Sequence, residues 1–213
     1  MMDINFILST LNEMFPNAHV ELKHNNHFEL LVAVVLSAQT TDVNVNKVTP
    51  DLFKKYPTPF DMMHADILDI ESLIQSIGLF HNKAKHLKML STELVGKHQG
   101  RVPSTRQELE ALPGVGRKTA NVVLSNAFGI PALAVDTHVA RVSKRLGLAL
   151  NSDNVVDIEQ KLMTHFPEHT WTTLHHQLIF FGRYHCHAKN PKCGQCPFYE
   201  MCTFPIKSQN RII

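Results

Sequence analysis

Two residues of this 213-residue chain are set for covalent chemistry, Lys118 and Asp136, and four for holding a metal, Cys186, Cys193, Cys196 and Cys202. Lys118 starts a helical pattern directly behind a Pro-Gly-x-Gly turn. An amine in the first turn of a helix feels the positive end of the dipole, which disfavours its protonated form. Burial would push the same way, towards the free amine that a nucleophile must be. Asp136 opens the next pattern, Val135-Asp136-Thr137-His138-Val139, where the dipole favours a carboxylate. Taken singly, the lysine also reads as a solvated charge and the aspartate as a helix cap.

The cysteines all fall between 186 and 202, with spacing C-x6-C-x2-C-x5-C. No charged-then-apolar leader opens the sequence, so disulfides are the weaker reading and a metal site the stronger one. Four crowded thiolates repel unless a cationic group neutralises them. Zinc sites generally show two C-x2-C pairs, and only Cys193 and Cys196 form one here. The generic ferredoxin spacing does not match either. Spacing alone does not choose between them. His185 and His187 flank Cys186 as substitute ligands or ordinary surface histidines.

The lysine is positioned by the stretch Leu112-Pro113-Gly114-Val115-Gly116-Arg117-Lys118-Thr119-Ala120. Ahead of it, Ser104-Thr105-Arg106-Gln107 has the form of a capping box opening a short helix through Leu109 and Leu112. Behind it, Ala120, Val123, Leu124 and Ala127 recur at helical spacing until Gly129 and Pro131. The turn's glycines allow backbone geometry that other residues resist. They also clear side chains from N–H groups at a helix start, where an anion such as a DNA phosphate would sit. A plain helix–helix connection has the same outline.

Further along the chain the periodicity is helical throughout. Ile4, Ile7, Leu8, Leu11, Met14 and Phe15 form an amphipathic helix ended by Pro16. Phe28 to Ala38 is apolar enough to be buried, yet too short to span a bilayer. A polar turn, Ser37 to Asp42, leads into a helix from about Val43 to Tyr56, which Pro57 and Pro59 break. Helices through Leu68–Ile77 and, capped by Asn82, through Leu87–Leu94 follow. Three more are predicted after Asp136: to Gly147, from about Asn154 to Phe166, and from Trp171 to Tyr184. Strand signals are almost absent, so the fold class is all-α.

The formal net charge of +2 is too small to prove a nucleic-acid partner. Its distribution says more. Between Lys83 and Lys118 eight basic residues face three acidic ones, whereas between Asp51 and Glu71 two face five. Such asymmetry suits one basic face against a polyanion. The apolar content of 44% is ordinary for a water-soluble protein.

The text LPGVGRKTANVVL at 112–124 and AVDTHVARV at 134–142, with the cysteine pattern, resembles the endonuclease III family of helix-hairpin-helix DNA glycosylases. The resemblance implies a six-helix barrel domain over 20–130 and a helical iron-sulfur domain from 1–19 and 131–213. It implies a 4Fe-4S cluster on Cys186, Cys193, Cys196 and Cys202. It also implies a bifunctional glycosylase and abasic-site lyase that removes oxidised pyrimidines from double-stranded DNA, with Lys118 attacking C1′ and Asp136 assisting.

Other roles follow from the same resemblance. Gly114, Val115 and Gly116 would bind DNA through the hairpin, and Lys189 and Lys192 would offer charge to phosphate from the first cysteine loop. Gln39, after Leu36-Ser37-Ala38, would fill the space left by the extruded nucleotide, and Leu79, after Ile77-Gly78, would wedge the opposite strand. Without it, Gln39 reads as a turn residue and Leu79 as a minor core residue. A monomer acting in the bacterial cytoplasm at the nucleoid, with no membrane partner, is expected. Monofunctional adenine-mismatch glycosylases share the hairpin, aspartate and cluster but lack the lysine, so Lys118 argues against them. A non-catalytic DNA-binding module would not need Lys118 or Asp136, and an electron carrier would explain only the cysteines.

Overall fold

The computed structural model describes residues 3–205, and within them every regular element is helical. The expected domain limits at 1 and 213 lie outside the described residues. The chain packs as two compact units: Glu21–Ile130, and the segment up to Val20 joined to the chain from Pro131 onward. No helix among the described residues is long and apolar enough to cross a membrane.

The first unit contains α2 (His27–Leu36), α3 (Asp42–Lys55), α4 (Pro59–His64), α5 (Ile67–Ile74), α6 (Phe80–His98), α7 (Arg106–Glu110) and α8 (Arg117–Ala127). Its axis is α2, buried at every position from Phe28 to Leu36. A helix apolar on all sides must be enclosed, and α3, α6 and α8 pack around it. Its one charge, Glu29, accepts hydrogen bonds from the backbone N–H and side-chain amide of Asn25 at 2.7 and 2.9 Å. Asn26 caps the helix start through Glu29 N–H.

The second unit holds α1 (Ile4–Met14), α9 (Thr137–Arg145), α10 (Val155–His165) and α11 (Trp171–Tyr184). Its core joins Ile7 and Leu11 of α1 to Val139 and Val142 of α9, Leu162 of α10 and Phe181 of α11. The chain from Cys186 to Cys202 is irregular apart from one 3-10 turn, Cys193–Gln195.

Several helix boundaries differ from the sequence reading: α2 stops at Leu36 rather than Ala38, α5 at Ile74 rather than Ile77, and three helix starts are placed differently. Pro59 does not merely break a helix: it stands at the first turn of α4 behind Thr58, which forms a reciprocal capping box with Asp61. The cap before α7 is Thr105, whose hydroxyl accepts from Glu108 N–H, so the cap lies one residue beyond Ser104. And the N-cap of α6 is Leu79 rather than Asn82, with no side-chain cap bond at all.

Candidate functional site

The hairpin joins α7 to α8 across Ala111–Gly116. Leu112 and Val115 are buried beneath it, and Val115 N–H donates to Leu112 O at 3.1 Å. Gly114 sits at φ +79, a backbone state that costs any residue with a Cβ. Gly116 differs from expectation. It is the N-cap of α8 at φ −102 and ψ 177, ordinary extended backbone, and a Cβ there would meet nothing within 4 Å. Only the first glycine is demanded by conformation; the second leaves the helix start open.

Lys118 is the second residue of α8, at that open start, and is exposed. The expected burial of its amine is therefore absent. Thr119 is half-buried and Ala120 fully buried, so the helix is anchored within two residues of the amine. Of the basic run leading to it, Lys83 is buried, Lys88 donates to Ala65 O at 2.7 Å and Lys97 pairs with Glu93. The charge free to meet a polyanion is smaller than the sequence count.

Gln39 and Leu79 share a feature that composition could not reveal. Both stand in the left-handed region, at φ +55 and φ +59, although neither is glycine. Gln39 is exposed, and Leu79 is 56% exposed. Side chains held out to solvent on strained backbone are characteristic of functional sites.

In the second unit, Asp136 is half-buried and caps α9, accepting from Val139 N–H at 2.8 Å. The segment leading to it is held by His175 of α11, whose Nδ1 bonds Ala134 O at 2.7 Å. The same helix α9 grips the cysteine segment. Arg141 donates to Gly182 O at 2.8 Å and Cys186 O at 3.1 Å, and lies 3.2 Å from His138 Nδ1. Arg145 donates to Cys186 Sγ at 3.3 Å, His187 O at 2.7 Å and Ala188 O at 3.1 Å, with its guanidinium over the Phe204 ring. Burial holds His138 below the ordinary imidazole range, against the opposing pull of Asp136. Sequence reasoning missed both arginines, though their four-residue spacing on α9 marks one face of the helix.

All four cysteines are outside disulfides and line one cavity, with Phe181 and His185. Burial, followed by the other three sulfurs, raises the Cys196 thiol to about 11, so this thiol resists ionising without a cation beside it. His185 is not an ordinary surface histidine: it stacks on Phe181, and its Nε2 is buried with no hydrogen-bond partner. No three His, Cys, Asp or Glu side chains among the described residues converge on a single ion. Thiols that line a cavity suit a polynuclear group, in which each takes its own iron. A lone zinc ion would need its sulfurs about 2.3 Å from one centre. Lys189 and Lys192 stand exposed on the loop between Cys186 and Cys193, which is pinned where Lys192 N–H donates to His185 O.

Residues 32–168 match the HhH-GPD superfamily base excision DNA repair protein family, and residues 186–202 match the iron-sulfur binding domain of endonuclease III. Endonuclease III of Bacillus subtilis (strain 168) is 53% identical over 93% of this chain and 91% of its own length. That of Escherichia coli (strain K12) is 45% identical over 94% and 95%. A trapped endonuclease III–DNA covalent intermediate superposes with a TM-score of 0.92 at 53% identity, covering 95% of this chain and 97% of that one. Matches of this extent run through hairpin, aspartate and cysteines alike. The chain belongs to the HhH-GPD superfamily of base excision DNA repair proteins and, within it, to the endonuclease III family.

Proposed function

We propose that this chain is a bifunctional DNA glycosylase and abasic-site lyase, that oxidised pyrimidines are its substrates, and that Lys118 is its nucleophile. The observation that carries the reading is an exposed amine on the first turn of α8, directly behind a hairpin whose conformation demands Gly114. A chain 53% identical to this one has been trapped as an endonuclease III–DNA covalent intermediate, which supports a covalent route.

Chemistry inside a duplex requires extrusion of the nucleotide. Gln39 fills the vacated space and Leu79 wedges the opposite strand. The hairpin receives a backbone phosphate through N–H groups around Gly114 and Gly116, with Val115 anchoring the turn from beneath. The Lys118 amine then forms a bond to C1′ while the glycosidic bond breaks, and the base departs with a proton. Ring opening of the sugar gives an imine. Loss of the C2′ proton breaks the bond to the 3′ phosphate, which leaves by β-elimination. The Asp136 carboxylate balances the positive charge that develops at the sugar and helps move protons.

Cys186, Cys193, Cys196 and Cys202 would hold the family's 4Fe-4S cluster, which supplies iron cations to neutralise the thiolates. Their loop then presents Lys189 and Lys192 to phosphate. The enzyme acts as a monomer in the bacterial cytoplasm, at the nucleoid.

Borohydride reduction on abasic duplex DNA tests the reading. A covalent adduct that maps to Lys118 is expected; absence of any adduct from cluster-loaded protein would sink the lyase assignment.

A further inference from the structure

Lys83 is 4% exposed, a rare state for a lysine, and its one polar side-chain partner among the described residues is the hydroxyl of Thr40. Its Nζ donates to Thr40 Oγ1 at 2.7 Å, across forty-three residues of sequence. Among the described residues no carboxylate pairs with the buried amine, and burial holds it below the ordinary lysine value. For stability alone an apolar side chain of that length would serve as well or better. The contact therefore calls for another account.

Its two ends supply one. Thr40 follows Gln39, and its N–H donates to Ser37 O at 3.0 Å, closing the turn on which Gln39 stands at φ +55. On the other side, Lys83 N–H donates to Leu79 O at 3.0 Å, fixing the carbonyl of the residue at φ +59. One residue thus holds the Leu79 backbone through its amide and the Gln39 turn through its side chain. Both strained positions need such outside support, since the left-handed state is not intrinsically favourable for either residue.

We propose that Lys83 is a positioning residue that ties the Gln39 turn to the start of α6, so that Gln39 and Leu79 enter the duplex as one unit. The proposal rests on the reading of Gln39 as gap filler and Leu79 as wedge. Two independent loops would each lose conformational freedom on entering DNA, whereas a tied pair is ordered beforehand.

The test is a double-mutant cycle on single-turnover base release from a duplex carrying an oxidised pyrimidine. Gln39→Ala, Leu79→Ala and the pair are compared in native, Lys83→Met and Thr40→Val backgrounds. In the native background the two losses should be coupled by about tenfold. Either background change should reduce that coupling to within about twofold and slow base release more than cleavage at a preformed abasic site. Thr40→Ser, which keeps the hydroxyl, should restore native coupling. Thr40→Val leaves the lysine in place, so it also reads out the tie if Lys83→Met fails to fold. Undiminished coupling in Lys83→Met or Thr40→Val would overturn the tie while leaving filler and wedge intact. If neither Gln39→Ala nor Leu79→Ala slows base release, the filler-and-wedge reading itself falls, and the tie with it.

Discussion

His86 lies against Gly114: a Cβ built on the glycine would stand 3.1 Å from Cβ, Cγ and Nδ1 of the histidine. A methyl at this left-handed position would therefore force the His86 ring to give by a few tenths of an ångström. Gly114→Ala should lower stability by about 1–2 kcal/mol from the backbone alone and weaken binding to an abasic-analogue duplex. Gly116→Ala, at ordinary φ with open space around it, should cost much less in stability. Thermal unfolding and titration of the two variants side by side check this; equal losses would contradict the division of roles.

This asymmetry between two glycines was not legible in the sequence, where both sit in the same Pro-Gly-x-Gly text. Periodicity sufficed where a helix is strongly patterned, as for α2, whose apolar run is buried residue by residue, and α11, whose limits at Trp171 and Tyr184 match the expected ones. It failed where one residue type serves two purposes. Pro59 could break α3 or open α4, and the deciding contact is the reciprocal cap between Thr58 and Asp61. Lys83 counted as surface charge because its partner, Thr40, is distant in sequence. The spacing of the cysteines pointed to a metal site, but not to Arg145 donating to Cys186 Sγ from a helix forty-one residues earlier.

The cysteine cavity predicts the metal content. Protein prepared without oxygen should be yellow-brown and contain about four irons per chain. Replacing Cys202 with Ser should lower that iron content. It should also loosen the loop gripped by Arg145, detectable as faster amide exchange at Cys186–Ala188. Stoichiometric zinc without iron in the native protein would refute the cluster.

Burial, then the neighbouring His175, pushes His176 down to about 3. An unfolded histidine titrates near 6.5, so between those values the unfolded chain binds a proton that the folded chain refuses. Stability should accordingly be fully present above about pH 6.5 and fall as pH drops, with a slope of at most about 1.4 kcal/mol per pH unit from this residue. Denaturant unfolding between pH 5 and 7.5 should show that slope diminished in His176→Gln. An identical pH dependence in the variant would remove His176 from the account.

The division of labour between Lys118 and Asp136 is the sharpest test of the proposed chemistry. Lys118 is exposed at the second position of α8, so Lys118→Gln removes the amine without disturbing any buried contact. The variant should bind damaged duplex, release almost no base and form no borohydride-trapped adduct. Asp136→Asn is nearly isosteric, and asparagine caps a helix as well as aspartate does, so the bond from Val139 N–H survives while the charge goes. Loss of a preorganised charge at a developing cation should slow base release by about a hundred- to a thousandfold. Because the nucleophile is still present, Asp136→Asn should nonetheless retain some trapping on preformed abasic DNA, where no glycosidic bond has to break. A covalent role predicts abolition of the adduct, and an assisting role predicts only its reduction. If Lys118→Gln were trapped on abasic DNA as well as native protein, another amine would be the nucleophile, and the hairpin lysine would be left with a binding role only.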